Sequence, residues 1–183
     1  MEDATRTSAR PDLAASSGTT SAGAGATIRM AGRLEPRSGW AADHCPILAG
    51  VAVVGTRSAF AILREAFYGA SRFEQFVSLG QLSEPVVAAR LRELTAAGLL
   101  ATEPYREPGQ RTRSAYRLTE KGRELLPVLV ALAQWGNRWE LGDDATTEFA
   151  HRDCGAPVGV ELRCTAGHRV TAEQLELRRR VSR

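Results

Sequence analysis

The stretch that decides the fold runs from Leu82 to Gly122, LSEPVVAARLRELTAAGLLATEPYREPGQRTRSAYRLTEKG. Its first half has the marks of a helix with a defined start and stop. Ser83 stands at the cap, Glu84 and Pro85 suit the first turn, and Gly98 closes the segment. Val87, Leu91 and Leu94 recur at i, i+4, i+7 and must face inward. Pro85, Ala89 and Arg92 then point away, with Ala88 and Glu93 beside them. That outer face is small and flat apart from its charges. A solvent-facing helix usually carries long polar residues, whereas a helix pressed into a groove tolerates alanine. The second half, LLATEPY and RSAYRLT, has the pattern of two strands around an Arg-rich tip. Between Tyr105 and Arg117, four arginines (Arg106, Arg111, Arg113 and Arg117) face one acid, Glu107. The window's net of +3 equals the formal charge of the whole chain, +3. Like charges at a hairpin tip repel, so the arrangement needs solvent or an anionic partner.

The flanking segments extend the pattern. In HCPILAGVAVVG, Asp43 or Cys45 can cap, Pro46 suits the first helical turn and Gly55 can end it. In SAFAILREAFYG, Phe60, Leu63 and Phe67 form an amphipathic stripe that Gly69 stops. RFEQFVSLG predicts a short helix with Phe73, Phe76 and Val77 on one face. Downstream, Thr119 caps a predicted long helix, EKGRELLPVLVALAQWGNRWE. Its apolar set of Leu125, Val128, Leu129, Leu132, Trp135 and Trp139 is larger than one small domain needs. Three short helices, an inward-packed fourth, a basic hairpin and a long apolar helix make a winged helix-turn-helix plan, mainly α with a small β-wing. In that plan the hairpin is the wing. Its arginines meet phosphates beside the groove the fourth helix enters, and counterion release favours each contact.

Composition agrees. The chain has 183 residues, 43% hydrophobic and 25% charged, which suits one globular domain with appended material. A sequence pI near 9.0 permits nucleic-acid binding without demanding it. Lys121 is the only lysine, and the Ala and Gly content points to a GC-rich coding bias, so position rather than Arg abundance carries the argument. No apolar run reaches the roughly 18 residues of a membrane span, and MEDATRTSAR does not open a signal peptide. Three cysteines suit a reducing compartment, so the cytoplasm is the expected location, with no membrane partner. An enzyme is not expected: the sequence has no Gly-rich phosphate loop, no triad-like grouping and no paired acids with a pocket. Residues 1–40 are rich in Ser, Ala, Gly and Thr and are expected to be a disordered tail. Arg29, Arg33 and Arg37 leave open an electrostatic DNA-binding arm. Residues 41–140 form the expected winged domain. Residues 141–183 are an extension that begins at an acidic break, with His151 to Val170 patterned as a small hairpin.

The run from Cys45 to Glu140 resembles the HxlR family of winged-helix transcriptional regulators. The features that carry the likeness are CP opening the first helix, ILREAFYGASRF, LSEPVVAARLRELTAAGLL, YRLTEKGRELLPVL and a late Trp. The resemblance implies a bacterial homodimer near the nucleoid that binds a near-palindromic double-stranded operator. It implies a repressor, often of neighbouring genes, answering a small-molecule or redox signal. One departure stands out. The family commonly has Lys-Trp before its second helix, where the Trp packs in the core or lines an effector cavity, and this chain has Arg57-Ser58.

The candidates for DNA contact are Arg90 and Arg92 on the fourth helix, Arg72 before the third, Arg111 and Arg113 in the wing, and Ser83 at the helix start. Arg92 is aimed at base edges, where a guanidinium can bond guanine bidentately. Arg90 flanks the buried stripe and grips phosphate, unless Glu84 or Glu93 claims it. Ser83 either donates to a phosphate or caps its helix. Leu132 and Trp135 are the expected centre of the dimer interface. Cys45 sits where a helix dipole favours thiolate. Some family members sense quinones, aldehydes or oxidants at the matching position; the alternative role is a small core residue. His151, Cys154, Cys164 and His168 are potential ligands of a structural zinc, and many members of the family carry a Cys-rich tail; the other reading is a zinc-free hairpin. Against the DNA-binding reading stands a metal- or thiol-dependent interaction module that kept the winged fold and lost operator binding.

Overall fold

A computed structural model describes residues 28–32, 44–109 and 111–179. Strand β1 (Arg29–Met30) comes first. Helices α1 (Pro46–Val54), α2 (Arg57–Phe67), α3 (Phe73–Gly80) and α4 (Glu84–Ala96) precede strands β2 (Leu100–Tyr105) and β3 (Arg113–Leu118). A single-turn α5 (Glu120–Arg123) then leads into α6 (Leu126–Gly136), and β4 (Glu176–Leu177) closes the described chain. The winged helix-turn-helix plan expected from the sequence is the architecture observed.

The core lies where α2, α3, α4 and the base of the wing meet. Ile62, Leu63, Phe76, Val87, Leu91, Leu94 and Leu100 are fully buried there. At roughly 1.5–3 kcal/mol per large apolar side chain, burial of these positions is a substantial favourable contribution to folding. Phe76 meets Tyr116 of β3 edge to face, with ring centroids 6.2 Å apart, so helix and wing share one core. Gly98 ends α4 in the left-handed region at φ +73°. The N–H of Leu99 donates to the carbonyl of Leu94 and that of Gly98 to Thr95, which satisfies the last carbonyls of the helix. Gly122 has a different reason to be glycine: a Cβ there would lie 2.2 Å from the Leu99 carbonyl oxygen.

Several details differ from the sequence reading. Thr56 caps α2, its hydroxyl accepting from Ala59 N–H at 3.1 Å, so the helix starts at Arg57. Ser83 is the cap residue of α4 but makes no side-chain cap hydrogen bond. Pro85 at the second helical position has no N–H, which removes one of the two donors such a hydroxyl normally finds. The predicted long helix after Thr119 is broken. Thr119 caps α5 through Gly122 N–H at 3.1 Å, but Pro127 cannot donate to the carbonyl four residues back and its ring would clash there. The chain therefore restarts as α6, with Pro127 in its first turn. Beyond α6 the coil widens to a π turn over Asn137–Leu141.

The extension is not one hairpin. Two separate loops are each closed by an isolated bridge, Ala150 to Pro157 and Arg163 to Arg169. Pro157 withholds a donor and Gly155 takes φ +70°, so no ladder runs through. The extension is tied to α6 by Asn137, whose amide donates to Thr147 O at 2.7 Å, and by Gln134, which accepts from Val160 N–H at 3.0 Å. Within the expected N-terminal tail, Ile28–Gly32 is not featureless: Arg29–Met30 pairs in parallel with Glu176–Leu177. Met30 is half-buried there, while Ile28 stays exposed. The rest of residues 1–40, with Arg33 and Arg37, lies outside the described residues. Among the described residues no single helix is long and apolar enough to cross a membrane; α1 and α2 together pass that length-and-composition test but are bent by 78°.

Candidate nucleic-acid interface

Helices α3 and α4 form the helix-turn-helix. Their turn pivots on Gln81, in the left-handed region at φ +51°, where a non-glycine residue is uncommon. With Val87, Leu91 and Leu94 buried, α4 turns its opposite side to solvent. Ser83 and Arg92 are exposed on it and Ala89 is half-buried between them. The Ser83 hydroxyl is not engaged as a cap, and Arg92 makes one intrahelical contact, Nε to Ala88 O at 3.3 Å. Arg90 is different. It pairs with Glu93 one turn on, the internal partner considered from the sequence, and its side chain is 29% exposed.

The wing pairs β2 with β3 antiparallel, Tyr105 opposite Arg113 and Leu100 opposite Leu118. A third segment joins this sheet. Tyr116 N–H donates to Ser71 O at 2.7 Å, and Arg72 bridges Ala115. Arg72 is thereby fixed at the sheet edge, at the start of α3 and beside the wing. Its Nη1 donates to Glu107 Oε1 at 2.5 Å, and its guanidinium lies 4.9 Å from the Tyr105 ring centroid. Arg113 Nη1 donates to Glu74 Oε1 on α3 at 2.6 Å. Arg117 pairs across the strands with Glu103 at 2.5 Å. Arg111 is exposed at the wing tip. The structure thus gathers Arg72, Ser83, Arg92, Arg111 and Arg113 on the helix-turn-helix and its wing. The sequence reading counted Glu107 among the wing charges but not as the partner of Arg72, and it missed Glu74; each acid lies far in sequence from the arginine it holds.

The remaining candidates lie elsewhere. Cys45 precedes α1 and is buried at 8% exposure. Leu132 and Trp135 project from α6 at 49% and 52% exposure, and α1 exposes Ile47, Leu48, Val51 and Val53. Of the nine residues of α1 only Val54 is buried. In the extension, His151 Nδ1 lies 3.2 Å from Cys154 Sγ on the first loop, while Cys164 and His168 belong to the second. Among the described residues no three His, Cys, Asp or Glu side chains group as metal ligands. As placed, the two Cys–His pairs are not gathered into one ligand set. The lowered pKa of Glu173, caused first by its hydrogen bond with Thr171 and then by its own backbone, belongs to a local turn of the extension.

A cleft of about 790 Å³ opens between α2, α6 and the Gly80–Leu82 turn, with Phe149 of the extension at its edge. Ser58, where the resemblance anticipates Trp, lines it. Arg64 at its rim holds Glu65, a carboxylate 6% exposed, at 2.6 Å.

The HxlR-like helix-turn-helix family profile matches residues 53–143. An uncharacterised HTH-type transcriptional regulator of Mycobacterium tuberculosis, Rv3095, is 36% identical over 125 residues, 67% of this chain and 78% of that one. The chain belongs to the HxlR-like helix-turn-helix family. Two solved structures named as transcription factors are similar to this family member. PA1607 has a TM-score of 0.65 at 35% identity over 77% of this chain and 96% of that one. PA1374 of Pseudomonas aeruginosa has a TM-score of 0.55 at 30% identity over 73% and 90%. HxlR-like membership brings a DNA-binding winged helix-turn-helix and a place among transcription regulators.

Proposed function

We propose that the chain is a sequence-specific, non-enzymatic repressor that binds a near-palindromic operator as a homodimer and releases it on a chemical signal. The observation that carries this reading is α4. Its apolar stripe is spent on the core. Its free side offers Ser83, a small Ala89 and Arg92, which contacts a backbone carbonyl rather than an acid, beside a basic wing. Such a helix fits a major groove, with its arginine at base edges and the wing on flanking phosphates. The apolar surfaces of α1 and α6 support the dimer, since a second copy can cover both across a two-fold axis.

For the signal, burial of Cys45 favours a small molecule over direct thiol oxidation, because a shielded thiol meets oxidants slowly. The cleft supports that form. It touches α6 and the Gly80–Leu82 turn, so a ligand there would bear on both the dimer helix and the recognition helix.

The test is a gel shift with the intergenic DNA upstream of the gene, repeated at rising salt. The proposal predicts a discrete complex on that DNA that outlasts complexes on random duplex as salt increases. The competing interaction-module reading predicts no complex on either.

A further inference from the structure

Two carboxylates sit on the expected phosphate path. Glu107 of the wing holds Arg72 at the start of α3, and Glu74 of α3 holds Arg113 of the wing, at 2.5 and 2.6 Å. The pairs cross: the helix arginine meets a wing acid and the wing arginine meets a helix acid. All four side chains are between 38% and 59% exposed. A phosphate can therefore reach either guanidinium without any unfolding. Exposed pairs of this kind open readily. Arg72 also lies against the Tyr105 ring, which keeps it at the wing when its carboxylate lets go.

Resting on the DNA-binding reading above, we propose that Glu74 and Glu107 are built-in competitors of DNA phosphate. In the free protein they neutralise the two arginines, and DNA binding exchanges each carboxylate for a phosphate. The exchange lowers affinity for any duplex, cognate or not. Arg92 lies outside it, since its contact is to a backbone carbonyl. Sequence reading and phosphate grip are therefore set by different residues, and the acids hold down the grip. The same pairs allow the opposite role, a strap that fixes the wing against α3. The two roles differ in sign. Removing a competitor tightens DNA binding, whereas removing a strap loosens it.

Giving up an exposed ion pair of this kind costs about RT, a factor of about three in affinity. The experiment compares wild type, Glu74→Gln, Glu107→Gln and the double variant in the full chain. Fluorescence anisotropy is read with a random-sequence duplex and with the upstream intergenic duplex over a salt series. Each single variant should bind random duplex about threefold tighter and the double about tenfold tighter. The slope of log K against log salt should steepen by up to about 0.9 per freed arginine. The gain from Glu107→Gln should vanish on an Arg72→Ala background, as a coupled pair requires. Glu173→Gln, in the extension, should bind as wild type. Weaker or unchanged binding by the Gln variants overturns the proposal, as does an equal gain from Glu173→Gln, which would make the effect one of net charge. Wild type that binds neither duplex overturns the regulator reading itself. Wild type that binds, with no gain in the variants, overturns this inference alone.

Discussion

Replacing Trp135 with Ala separates assembly from folding. Trp135 is 52% exposed and is not among the residues of the buried core cluster, so its loss spares that cluster. A Trp presents about 250 Å², so about 130 Å² is open to a partner. At about 25 cal/mol per Å², covering it yields about 3 kcal/mol per subunit. A two-fold interface counts the residue twice, about 6 kcal/mol in all. Area converts poorly into affinity, because association also costs rigid-body and side-chain freedom. Half of the sum, about 3 kcal/mol, is a fair expectation and corresponds to a dimer dissociation constant raised on the order of a hundredfold. Sedimentation equilibrium from nanomolar to micromolar protein reads this directly, with far-UV circular dichroism as the folding control. Trp135→Ala should be largely monomeric where wild type is dimeric, with unchanged helix content. A wild-type monomer at micromolar concentration, or a Trp135→Ala dimer as tight as wild type, would refute the assignment of α6 to the interface.

Changing Arg111 and Arg113 together to Ala should weaken operator and random DNA alike and flatten the salt slope by about one to two units; unchanged binding to both would remove the wing from the interface. In native, reduced protein, thiol titration should show two fast cysteines, the exposed Cys154 and Cys164, and one slow cysteine, the buried Cys45. The same sample should carry well under one zinc per chain by metal analysis, because the two Cys–His loops do not converge; one zinc per chain with protected thiols would show that they close around metal.

The helix-turn-helix was legible in the sequence because its signals are local and mutually consistent. Val87, Leu91 and Leu94 leave one helical solution, Gly98 ends it, and Thr119 caps the turn after the wing. Where signals competed, the reading failed. The apolar spacing from Leu125 to Trp139 reads as unbroken helix, yet Pro127 interrupts the hydrogen bonding that spacing presumes. Ser83 has the right type for a cap, but Pro85 removes a donor. The Ser71–Arg72 strand segment is too short to show alternation. The ion pairs of Arg72 with Glu107 and Arg113 with Glu74 join residues 35 and 39 apart, and nothing local announces them. In the extension, the stretch from His151 to Val170 suggested a single hairpin, whereas Pro157 and Gly155 divide it into two loops.

If α4 reads sequence while the wing grips phosphate, the two roles separate in paired binding isotherms. Arg92→Ala and wild type are compared on operator and on random duplex at one salt concentration. The expected result is a loss of roughly 1–3 kcal/mol on the operator and little change on random DNA, so that the specificity ratio falls. Equal losses on both duplexes would place Arg92 among the phosphate contacts and contradict the assignment of α4 as the reading helix.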